Sequence, residues 1–293
     1  MGNIISAETV KPNELAEFTG TVNENDVLMI WLADGTGLKR IKVSQLIKQE
    51  EQETGLDVIK REVMAPYGYF GKEHTLAQLM AWVRNEEWDK FAIGDYFVDT
   101  MTTGEKVIWE VAEKNGYKYS GDQGNGLTAP HIICSPRDCL NTTYQYNTTN
   151  TNAGGYAGSK MPANLEAELA KFSAVLRGYV TEVRRLENNK GTWAWATRKI
   201  FLPSVAEVLG HHGWSDAYGG GPIPRSLALF TGGNAHIMKG QGYNKSTALR
   251  MWYWLADPSA AGATAFCLFY IAGYSHYDAA SIAGGVAPLI VLS

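Results

Sequence analysis

The sequence predicts an α+β protein: a small N-terminal hairpin-plus-helix module, then a larger domain of short antiparallel sheets, two or more helices and long loops. Three observations carry this. Arg250 to Leu292 holds eight aromatic residues in 43, and charge only at Arg250, Asp257 and Asp278. Within it, Ala265–Ile271 and Gly285–Leu292 are short apolar runs of strand length, rich in β-branched or aromatic residues. Ala163–Arg185 carries Leu165, Leu169, Phe172, Leu176, Val180 and Val183 at helical spacing, with a break expected near Phe172–Ser173.

From the N-terminus, Asp26–Ala33 reads as a strand, Asp34-Gly35 as a tight turn and Leu38–Val43 as the returning strand. Ser44 is placed to N-cap a helix from Gln45. Leu56, Ile59 and Val63 share one helical face, too few for a coiled coil. We place domains at 1–50, 51–91 (linker and helix) and 92–293. Thr75–Phe91 reads as a helix with Leu76, Leu79, Met80 and Val83 on one side. Gly94–Asp99 and Glu105–Ala112 read as a hairpin turning at Thr102-Thr103-Gly104, with Val107, Trp109 and Val111 inward. Ile200–Leu202 is a short strand. Ser204 and Glu207 form a capping box for the helix that Gly210 ends. The glycine-rich stretches 211–221 and 232–246 are long loops of the kind that bind a partner.

Between the two C-terminal apolar runs, Gly273–Gly285 is too polar for core yet carries Tyr274, His276 and Tyr277. Rings joined to small polar residues suit an adaptable binding surface. The stretch therefore reads as an aromatic loop displayed by two core strands, with Trp252, Trp254 and Phe266 buried beneath.

Composition narrows the function. A net charge of −4 gives no electrostatic footprint for nucleic acid. No apolar run approaches the ~18 residues of a membrane span. Cys134, Cys139 and Cys267 are no disulfide framework, although Cys134 and Cys139 lie close enough in sequence to pair. His211-His212, His236 and His276 lack the spacing of a zinc site. No G-x-S-x-G elbow, phosphate loop or dinucleotide fingerprint is present. Glu166 and Glu168, two apart on a helix, face different ways. No cofactor, metal or catalytic residue is expected.

Tyr253-Trp254-Leu255-Ala256-Asp257-Pro258, with Gly285-Val286-Ala287-Pro288 behind it, resembles the closing signature of C-type-lectin-like domains related to formylglycine-generating enzymes. Such domains are common in phage and prophage tail proteins. Ala256 and Ala287 stand where that pattern usually has arginine. The stretches 94–112, 129–134 and 147–161 match the same pattern, so the resemblance spans about residues 92–292. The strand, glycine turn, Lys39-Arg40-Ile41-x-Val43 and helix unit resembles the attachment module of tail-fibre proteins.

The resemblance implies a homotrimeric tail appendage, assembled in the bacterial cytoplasm and carried on the virion. Its N-terminal module would join a tail or baseplate protein, and its C-terminal domain would bind a host surface receptor, protein or glycan. Some such domains are diversified by retroelements at codons for residues such as Asn, Tyr, Ser, Asp and His. That vocabulary singles out Asn234, His236, Tyr243, Asn244, Tyr270, Tyr274, His276, Tyr277 and Asp278 as ligand-binding. A structural tail component without receptor contact is the alternative. An enzyme of the formylglycine-generating type is disfavoured, because that chemistry uses paired cysteines and Cys267 stands in an apolar strand.

Overall fold

The computed structural model describes residues 71–122, 126–215, 225–231, 237, 239 and 250–293, together with the backbone of 27–31 and 38–42. The chain divides into two compact units, Met1–Gly55 and Leu56–Ser293. In the first, β1 (Val27–Trp31) and β2 (Leu38–Lys42) pair antiparallel, Val27 opposite Lys42 and Trp31 opposite Leu38. The expected turn at Asp34-Gly35 and the helix from Gln45 lie outside the described residues, as does the helical face of Leu56, Ile59 and Val63.

The second unit is mixed α+β. It opens with α1 (Leu76–Arg84), N-capped by Thr75, whose hydroxyl accepts from Gln78 N–H at 3.2 Å. Leu79, Met80 and Val83 are buried as their spacing implies. The helix is shorter than its apolar pattern suggested. It stops at Asn85, Glu86 takes a left-handed φ of 57°, and a 3-10 turn at Trp88–Lys90 follows.

Next come β3 (Tyr96–Thr100) and β4 (Lys106–Lys114), the expected hairpin with Val107, Trp109 and Val111 in the core. Then follow β5 (Ile132–Pro136), α2 (Gly155–Gly158), α3 (Met161–Leu169) and α4 (Ala174–Tyr179). The break between α3 and α4 falls where expected: the Ser173 hydroxyl accepts from Leu176 N–H at 3.1 Å and starts a new helix. The helical pattern does not reach Arg185, however. Val180 is already extended, and Val183–Asn188 form β6, paired with β7 (Trp193–Arg198) across a turn that holds Lys190 at φ 59°. Pairing six residues with a partner strand outweighed a weak helical stripe.

β8 (Ile200–Phe201) leads to α5 (Val205–Leu209), where the capping box is complete and Gly210 closes the helix at φ 73°. Last come β9 (Tyr253–Pro258), β10 (Ala265–Phe269), β11 (Ser275–Ala279) and β12 (Leu289–Leu292). Pro288 offers no N–H to a ladder, so β12 starts only at Leu289.

The order β3-β4-β5-β12-β8 forms one antiparallel sheet, with the C-terminal strand between β5 and β8. All four residues of β12 are buried, which accounts for its unbroken apolar run. A second sheet, β11-β10-β9, carries Trp254 and Phe266 into the same core. Trp252 is only half-buried, its ring edge-on to Trp254 at 5.0 Å. The Tyr146 ring lies flat on Phe266, centroids 3.7 Å apart, and edge-on to Trp254 at 5.1 Å. No helix among the described residues is long and apolar enough to cross a membrane. Cys134, Cys139 and Cys267 are all buried, and none forms a disulfide.

Candidate functional site

The stretch expected to be an aromatic loop is in fact the edge strand of the second sheet. β11 runs antiparallel to β10, with Phe269 opposite Ser275, Leu268 opposite His276 and Cys267 opposite Tyr277. The turn between them is closed by Gly273 N–H to Tyr270 C=O and Tyr270 N–H to Tyr274 C=O, both 2.9 Å. Gly273 sits at φ +95°, a conformation open to glycine and strained for a side chain. The turn therefore sets Tyr270 and Tyr274 at facing strand ends, ring centroids 5.5 Å apart.

From there the rings continue. His276 lies 5.7 Å from Tyr270 and 6.1 Å from Tyr274, and Tyr277 lies 5.3 Å from His276. Tyr277 in turn meets Trp214 edge-on at 5.2 Å. The His276 Nδ1 accepts from Tyr277 N–H at 2.6 Å, which leaves Nε2 to carry the ring proton. Tyr274 is 49% and Trp214 48% exposed, while Tyr270, His276 and Tyr277 are half-buried. Asp278, exposed on the same strand, accepts from Ala279 N–H at 2.7 Å. The result is a chain of five ring contacts, with His276 and Tyr277 on β11, Tyr270 and Tyr274 at the β10–β11 turn and Trp214 on the neighbouring loop, each ring exposing part of its surface.

Trp214 was not singled out by sequence, since it stands in a glycine-rich loop far from the others. Its signal was a large aromatic in a polar loop. The loop is fastened by Ala260 N–H to Trp214 C=O at 2.8 Å and a bridge between Ser215 and Ser259. Gly213 allows the close approach: a Cβ there would stand 2.6 Å from Ser275 Oγ. Of the sequence-predicted site residues, Tyr270, Tyr274, His276, Tyr277 and Asp278 come together here. Asn234, His236, Tyr243 and Asn244 lie outside the described residues.

Beneath the row the scaffold is stiff. Asn152 Nδ2 donates to Gly262 and Ala265 carbonyls at 2.8 Å each, tying the segment before β10 to the loop ahead of α2. Tyr253 donates to Ile237 C=O at 3.0 Å, and burial holds its hydroxyl well above the ordinary phenol range. Glu168 is buried and bonded to Tyr144 and Lys171 while Glu166 is exposed, so the two carboxylates do diverge. Burial pushes the Cys139 thiol up to about 12 and Cys134 higher still, so neither is a nucleophile at neutral pH.

Comparison with curated proteins and with solved structures returns no match. Residues 131–293 match the family described as Domain of unknown function (DUF6273), a segment that contains the whole aromatic row. That segment exceeds half of the chain, and the protein therefore belongs to the DUF6273 family.

Proposed function

We propose that this protein is a phage or prophage tail appendage that binds a host cell-surface receptor through the aromatic row at β11, its turn and the neighbouring Trp214 loop. The observation that carries the reading is the row itself. Five partly exposed rings, Tyr270, Tyr274, His276, Tyr277 and Trp214, contact one another in a chain along β11, its turn and the neighbouring loop. Rigid aromatic contact area costs little conformational entropy on binding. The row also gathers residues that diversifying retroelements favour, so it is the natural place for receptor specificity to vary. The N-terminal strand pair β1–β2 is proposed as the tail attachment module, and three copies as the working assembly, since linked weak sites gain avidity on a cell surface.

The chain reads as a binder rather than a formylglycine-type enzyme. Cys267 supports this, being buried in β10 with its thiol 3.9 Å from the Pro258 carbonyl.

The test applies full-length protein to cell envelopes of the bacterium that carries the gene. Wild-type protein should be retained, and a Tyr274→Ser, Trp214→Ser double variant should lose about tenfold in affinity at unchanged melting temperature. Equal retention of both proteins would remove the row from receptor binding. A sedimentation mass of a single 32.2 kDa chain would exclude the trimer.

A further inference from the structure

A narrow cleft opens between the β6–β7 hairpin, the start of α5 and β9, sharing no lining residue with the aromatic row. Tyr156, Arg185, Glu187, Asn188, Trp193 and Ala256 are on its walls, with Glu207 and Asp257. Its polar groups do not balance. Arg185, 4% exposed, donates from Nη2 to Glu207 Oε2 at 2.7 Å and from Nη1 to Leu202 C=O at 3.0 Å, and its plane lies 3.9 Å over Phe201. Its Nε–H has no partner. Asn188, 3% exposed, accepts through Oδ1 from Gly191 N–H at 3.3 Å, and its Nδ2 has no partner either. Two buried donors on one cleft, both without an acceptor, are uncommon in folded proteins and call for an explanation.

The acceptors around them are engaged. Glu187 holds Arg198 through two bonds of 2.9 and 2.8 Å. Glu207 holds Arg185, Ser204 N–H and the Tyr117 hydroxyl. Asp257 accepts from Val205 N–H at 2.7 Å. What the cleft wants is an oxygen, and three carboxylates against two arginines disfavour an anion. A neutral hydroxyl answers both conditions: its oxygen accepts from the two donors and its proton goes to a carboxylate lone pair. Trp193, half-buried on the same cleft, adds an aromatic face. Adjacent hydroxyls beside an apolar C–H face are the chemistry of a sugar ring.

We propose that this cleft is a subsite for a neutral sugar, entered edge-on, with one hydroxyl against Arg185 Nε and Asn188 Nδ2 and the ring along Trp193. The floor has room for about one water-sized group, so only a hydroxyl reaches it and the ring stays at the mouth. The proposal stands apart from receptor binding by the aromatic row, because the two surfaces are separate.

The experiment is saturation-transfer NMR on the full-length protein with the methyl glycosides of glucose, galactose, mannose and N-acetylglucosamine. At least one should receive saturation, with a Kd on the order of 1 mM or tighter. Asn188→Asp keeps the oxygen that caps the Gly191 turn and removes the amide donor, and should weaken that glycoside about fivefold. Ala256→Leu fills the cleft without touching a polar group and should abolish transfer even if Asn188→Asp folds poorly. Tyr274→Ser, on the aromatic row, should leave it unchanged. Silence from all four glycosides, as expected if the cleft traps only a water, overturns the proposal. So does transfer that survives Ala256→Leu.

Discussion

Arg185 on β6 and Glu207 on α5 meet at 2.7 Å inside the protein, both nearly without solvent exposure. The pair joins the hairpin to the helix, and Glu207 closes the capping box with its other bonds. Removing one partner strands a buried charge, so Glu207→Gln should cost about 3–5 kcal/mol. Urea denaturation of the single variants and of Arg185→Met combined with Glu207→Met measures this. The double variant should recover much of the loss. Additive losses would show that the pair is not the unit of stability.

Alkaline pH should unfold the protein cooperatively. Burial is the leading cause that raises the hydroxyls of Tyr144, Tyr146, Tyr156 and Tyr253 above the ordinary value of 10.0. A group raised in the folded state contributes stability that is complete below its unfolded value. Here that contribution is lost as the pH climbs past 10. Phenolate absorbance should therefore report these four of the fifteen tyrosines only as the fold melts. Smooth titration of all fifteen in the native state would contradict it.

Acid should destabilise through His131. Its Nε2 accepts from Tyr117 N–H at 3.0 Å and its Nδ1 faces Ala129 C=O at 2.9 Å, so only the neutral ring serves both. Burial lowers its pKa from 6.5, and stability should fall as the pH drops below that value, where the unfolded chain takes up the proton. A His131→Gln variant should show a flatter melting temperature between pH 7 and the folded pKa. An identical pH slope in the variant would clear His131 of the effect.

Two glycine substitutions should act in opposite directions. A Cβ at Gly155, where φ is +57°, would stand 2.2 Å from the Asn188 carbonyl oxygen, so Gly155→Ala should cost about 1–3 kcal/mol. At Gly178, inside α4, a Cβ meets nothing within 4 Å, and alanine should add about 0.5–1 kcal/mol of stability. Melting temperatures that move the same way would refute this packing.

None of the three cysteines should react with a thiol reagent in the native protein. Each is buried, and burial raises Cys134 and Cys139 far from neutral pH. Labelling should follow unfolding, so a fast native phase would place one thiol at the surface.

What the sequence determined by itself was local. The α+β class, the β3–β4 hairpin, the Ser204–Glu207 capping box, Gly210 at its end and the apolar run of β12 each rest on residues within one or two turns of one another. Their signals are side-chain alternation and caps, which need no distant partner. Tertiary structure decided the rest. Ser275–Ala279 is a strand because β10 offers it a ladder, and Val183–Asn188 left the helical pattern because β7 does the same. Its turn and the alternation of Trp193, Trp195 and Thr197 were the faint local clue. Trp214 joined the aromatic row only through packing across some sixty residues of chain. The orphan donors of Arg185 and Asn188 exist only once Leu202, Glu207 and Gly191 have taken their other bonds. Which partner a buried polar group finds depends on three-dimensional proximity, and a linear sequence does not carry that information.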